Sequence, residues 1–206
     1  MKIRYCVSLL LLCAATIFSK STTANADDRY VKLCERYFTE FAEDYGKFGQ
    51  KDGFTYLYSD KKNTATIVAI PMEQKKVAVP GKINGKTVTK IELMDVFSCS
   101  SNYYFRDEFY GEHEDNPVPK VEYLSIPKTV KVINIYAGIG LTEGYCGELQ
   151  SYLVHLKKFN VASANKWYRS YKGMLYTKNG KKLLLVPRKY MAKTVKVKKG
   201  TTKIAD

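Results

Sequence analysis

Apolar and polar positions change rhythm along this 206-residue chain. Between Asp27 and Phe48 the residues Tyr30, Leu33, Cys34, Tyr37, Phe38, Phe41 and Tyr45 recur at three- and four-residue steps. That spacing gathers one apolar stripe and predicts an amphipathic helix over 27–48. Asp27 and Asp28 suit its positive start, and Gly46 and Gly49 end it. From Gly53 the period falls to two. Phe54–Tyr58 is aromatic and β-prone, Ser59–Asn63 is a polar turn, and Thr64–Ile70 alternates towards Ala65, Ile67 and Ala69. This predicts a β-hairpin.

One phrase then recurs. Residues 77–91 (VAVPGKINGKTVTKI), 124–133 (LSIPKTVKVI) and 195–204 (VKVKKGTTKI) each give a short β-branched strand, a stop, a turn, and a polar-spaced Val/Thr and Ile. Such a unit cannot bury its apolar face alone, so its copies must stack. A helix ahead of the stack would cap its open end; a helix that docks on a partner is the other reading. Between the copies, 100–119 breaks the pattern. It is rich in Tyr and Phe, then acidic around His113, and predicts an inserted surface loop. Its adjacent carboxylates point different ways and no second His is near, so no metal site is predicted. Residues 135–147 carry four glycines and predict turns. Met174–Val186 predicts a hairpin, with Asn179-Gly180 as a pair suited to positive φ at both positions.

Lys2 and Arg4, an apolar run from Tyr5 to Phe18, and Ala24-Asn25-Ala26 predict a secretory signal peptide over 1–26, cut after Ala26. Lipidation at Cys13 and an uncleaved anchor are minor alternatives. Cys34, Cys99 and Cys146 then remain. Their odd number excludes a full disulfide framework. Buried thiols are one reading; a single Cys99–Cys146 pair is the other.

Charge divides the mature chain. Residues 27–148 hold 16 Lys/Arg and 19 Asp/Glu, whereas 149–206 hold 15 Lys/Arg and one acid, Asp206. A field of one sign attracts polyanions, although a solvated, solubilising face explains the same charge. Basic and aromatic groups interleave at Lys157, Lys158, Lys166, Trp167, Arg169, Tyr171 and Lys172. This mixture suits stacking, cation–π and charge contacts, and marks a candidate binding surface. Core packing is the competing use of Trp167. Enzyme chemistry has little to stand on: His113 and His155 lack a nucleophile motif, and Ser163-x-x-Lys166 has no companion. No catalytic residue, cofactor or metal is predicted. Export argues against sequence-specific nucleic-acid binding.

Three signatures carry a family resemblance. Ile126-Pro127-Lys-Thr-Val130-Lys-Val-Ile133 resembles the Ile-Pro-x-x-Val-x-x-Ile core of BspA-like leucine-rich repeats. Val79 to Ile91 resembles that family's longer first repeat, and Asn165 to Leu183 its hairpin insert. The resemblance covers roughly 53–206. It implies an α+β, β-rich fold: a short irregular leucine-rich-repeat solenoid with an N-terminal capping helix (27–52) and β-hairpin inserts, here 165–187. It also implies a bacterial, secreted or surface-exposed protein used for adhesion or protein binding, with no catalysis. A secreted binder of polyanions or cell-wall glycans through the basic half is the alternative, and an extracellular hydrolase the remote one. Departures are evident. Tyr136-Ala137 stands where Ala-Phe belongs, Lys198 replaces Pro, and the copies lie 47 and 71 residues apart. The family would continue past Asp206, so a truncated chain or an open last strand is expected.

Overall fold

A computed structural model describes residues 32, 35, 36, 39, 46–93, 118–134 and 153–205. The predicted signal peptide, most of the predicted helix over 27–48, Cys34, Cys99, Cys146, His113, most of the acidic stretch and the glycine-rich stretch lie outside the described residues. Lys32, Glu35, Arg36 and Thr39 are helical and exposed. They fall between the apolar positions of the predicted stripe. Everything else described is strand, turn or coil.

The first hairpin begins earlier than its sequence pattern suggests. β1 (Lys47–Lys51) pairs antiparallel with β2 (Phe54–Ser59), and β2 with β3 (Thr64–Ala69). The 27–52 cap therefore ends in sheet, and Phe48, assigned to the helix, is in β1. Gly46, at φ +77°, adopts a backbone a helix cannot continue through. Asp52 and Gly53, at φ +52° and +77°, make the two-residue turn. Positive φ at both central residues matches the twist of the flanking strands. β3 is buried on both faces, from Ile67 to Ala69, and a parallel strand pairs with its free edge.

That strand is β6 (Lys86–Ile91), which pairs parallel with β3 and also takes the small β5 (Lys82–Ile83) and β8 (Val132–Ile133). Ile67, Ile91 and Ile133 thereby line up across three strands. A second, all-parallel ladder joins β4 (Lys76–Ala78), β7 (Tyr123–Ile126) and β9 (Lys158–Val161). Val77, Leu124 and Phe159 share one row and all point into the core. Burying each such side chain contributes about 2 kcal/mol. The copies do stack, but the third ladder strand is 158–161 rather than the 195–197 of the third phrase. Its spacing from the second copy is 35 residues, from Ile126 to Val161. Val195–Val197 is not a strand.

The phrase at 195–204 belongs to a second copy of the opening sheet. β10 (Tyr168–Tyr171), β11 (Met174–Thr177) and β12 (Lys182–Leu185) form two antiparallel pairs, and β13 (Lys203–Ile204) joins β12 in parallel. This order is that of β1, β2, β3 and β6. Lys172 and Gly173, at φ +50° and +87°, repeat the turn of Asp52 and Gly53. The register slips between Leu175 and Tyr176, as it does between Thr55 and Tyr56. Ala205 N–H donates to Leu183 C=O, as Glu92 N–H does to Ile67 C=O. The predicted Asn179-Gly180 turn differs in detail. Only Gly180 has positive φ (+73°); Asn179 instead accepts the Lys181 N–H and the Thr177 hydroxyl.

Candidate binding site

Asn165 ties the insert to the stack. Its side chain is fully buried, and its amide donates to Pro127 C=O and Val130 C=O at 2.9 and 3.0 Å. Its carbonyl accepts the N–H groups of Trp167 and Tyr168, both at 2.8 Å. All its hydrogen-bonding capacity is used. The chain therefore leaves β9 and turns sharply into β10. From there Phe159 N–H donates to Gly173 C=O, and the Tyr168 hydroxyl takes the Ile133 N–H. The hairpin thus lies over the outer edge of β9, which a bare ladder would leave open.

This placement sorts the seven surface residues read from the sequence. Lys157, Lys158 and Lys172 line one cleft of about 320 Å³ with Tyr123, Tyr190 and Met191. Trp167 lies elsewhere, half-exposed under the Lys131 ammonium, which sits 5.6 Å from its ring centroid. Lys166 and Arg169 are exposed, and Tyr171 is half-buried, edge-on to Tyr176 at 6.2 Å. Tyr123, Tyr190 and Met191 escaped the sequence reading. They come from distant segments, and only the parallel pairing of β7 with β9 brings Tyr123 beside Lys158.

The cleft is electropositive in a specific way. Lys157 binds Glu122 at 2.8 Å. That hydrogen bond raises the lysine pKa and lowers that of the glutamate. Lys157 is thus locally neutralised. Lys172 sits 5.7 Å from the Tyr171 ring. Lys158 is exposed on the solvent side of the ladder, level with Tyr123 and Lys76. No Asp or Glu occurs between residues 153 and 205. Among the described residues no group of His, Cys, Asp and Glu is placed to hold a metal, and no helix is long and apolar enough to cross a membrane. His155 and Ser163 are exposed; the Ser163 carbonyl accepts from the Lys178 ammonium at 2.7 Å.

No protein-family model matches the chain, and no curated protein is similar to it. Two solved structures are. A leucine-rich repeat protein from Eubacterium ventriosum ATCC 27560 aligns over 63% of this chain and 25% of its own, with 21% identity and a TM-score of 0.38. The pneumococcal vaccine antigen PcpA aligns over 78% of this chain and 61% of its own, with 15% identity and a TM-score of 0.31. The chain thus spans a quarter of one and about three fifths of the other. Overlays this loose carry no function from either protein to this one.

Proposed function

We propose that this is a secreted or cell-surface binding protein of leucine-rich-repeat type, close to the BspA-like group, that holds another macromolecule and catalyses nothing. The observation that supports this best is the cleft between the ladder and the hairpin. Lys158 and Lys172 flank Tyr123 and Tyr190 there, and both come from a stretch, 153–205, that has no Asp or Glu. Ammonium groups beside aromatic edges recognise carboxylates, sulfates or phosphates together with flat apolar surface. An acidic protein surface is the partner we favour. An anionic cell-wall polymer is the second reading, favoured by the same cleft. The cleft needs a partner that brings negative charge, not a reacting group.

The test is a binding series with an acidic globular protein such as serum albumin, with wall teichoic acid, and with heparin, each over a range of salt. Selective, salt-tolerant binding to the protein, lost on Lys158→Glu with Lys172→Glu, is the expected result. Equal and steeply salt-dependent affinity for all three polyanions would reduce the cleft to generic charge attraction. Turnover of peptidoglycan, ester or peptide substrates would overturn the non-catalytic part.

A further inference from the structure

The first unit holds a second cleft, of about 380 Å³, between β1, β2 and the β5–β6 turn. Tyr58 and Phe48 supply half-buried aromatic wall. Tyr56 stands 6.0 Å from Tyr58 between ring centroids, at 44° to it, and its hydroxyl receives the Asn84 amide. Asp60 lies at the rim, held by Lys86 at 2.6 Å and Lys47 at 2.8 Å. Lys86 also sits 5.8 Å from the Tyr58 ring. Gly49 lets the Tyr56 ring lie flat against β1 as the floor of the cleft: a Cβ at residue 49 would come to 2.5 Å from the Tyr56 hydroxyl.

The second unit provides an internal comparison. It keeps the turn, the bulge and the buried tyrosine, but has Arg169 where the first has Gly49 and Lys178 where the first has Tyr58. The cleft residues are therefore not required by the unit's fold. Their chemistry differs from that of the basic cleft. The carboxylate and the ammonium within the lining cancel, leaving aromatic face, amide and hydroxyl. We infer that this cleft binds a neutral saccharide, its ring stacked on Tyr58 and its hydroxyls held by Asp60, Lys86 and Asn84. An aromatic platform offers a partner to the C–H face of a sugar, and charged groups make the stronger hydrogen bonds to its hydroxyls. The nearby ammoniums of Lys47 and Lys86 are already engaged by Asp60, and the polar groups around the aromatic face disfavour an apolar ligand. The site is separate from the basic cleft and does not depend on the function proposed for it.

The test is titration of the full chain with chitotriose, cellotriose and maltotriose, read by NMR shifts and calorimetry. At least one should bind with a Kd near or below about 1 mM. Tyr58→Ala should weaken it at least about tenfold while Tyr58→Phe, which keeps the ring face, retains it. Asp60→Asn, which keeps the shape, should weaken it as well, and Lys158→Glu with Lys172→Glu should leave it unchanged. Absence of binding by all three sugars up to about 10 mM, or binding that survives both Tyr58→Ala and Asp60→Asn, would overturn the assignment. So would loss of sugar binding on the distant lysine changes.

Discussion

Tyr56 and Tyr176 stand at the same point of two copies of one unit, and each anchors the following turn through its hydroxyl. Tyr56 takes the amide of Asn84, and Tyr176 takes the N–H of Lys198 at 3.1 Å. Both rings are buried, and both follow the register slip in their hairpin. The units differ in what covers them. In the first, β7 and β8 pair with β4 and β6; in the second, Val195, Val197 and Ile204 are exposed, at 46%, 46% and 65%.

Two valines at matching places in the phrase should therefore behave differently. Val77 is 2% exposed and faces Leu124 in the ladder. Val77→Ala should cost about 2 kcal/mol, from lost burial and the cavity left behind. Val195→Ala should cost under about 0.5 kcal/mol. Urea midpoints with unchanged m-values check both.

Asn165→Ala removes two donors and two acceptor bonds at a buried site. The carbonyls of Pro127 and Val130 and two N–H groups then lose their partner. A loss of about 3 kcal/mol is expected, larger than an average substitution. Hydrogen exchange should rise at Trp167 and Tyr168 before it rises in β7.

Lys172 carries φ +50° at the first position of a two-residue turn, a backbone that lysine adopts at a cost of about 1 kcal/mol. Asn tolerates it better. Lys172→Asn should raise Tm by about 2 °C while weakening anion binding, since the ammonium leaves the basic cleft. Thermal melts and the binding series together separate the two effects.

Asp60 should mark the acid limb of stability. Hydrogen bonds from Lys47 and Lys86 hold its pKa at about 2, below the ordinary 3.8. A depressed carboxylate stabilises the fold above its unfolded pKa and loses that contribution as pH falls through its folded pKa. The contribution is thus present above about pH 5 and disappears towards about pH 2. Asp60→Asn should lower stability near neutrality and converge with the parent at the acid end. Parallel urea curves over that range test the sign; a gap that does not change with pH would contradict it.

Much of the strand pattern was readable in the sequence. Aromatic, β-prone residues marked Phe54–Tyr58, alternation marked Thr64–Ile70, and the short strand before Pro127 marked β7. The basic half was equally plain, since charge is a property of composition. Pairing was not. Phe159-Asn-Val161 is not followed by the spaced Val/Thr and Ile of the phrase, whereas Val195-Lys-Val197 is, so the local pattern points to the wrong segment as third ladder strand. Which of them enters the ladder depends on a neighbour that can bury it. Asn165 and the hairpin turn the chain after β9, and Val195 finds no strand to pair with among the described residues. Local rhythm and the sign of the charge could be read from the chain alone, because both reside in neighbouring residues. The repetition of the hairpin unit, and the meeting of Tyr123 with Lys158 but not with Trp167, emerge only in the folded chain. Those outcomes depend on hydrogen bonds and contacts between residues far apart in the chain.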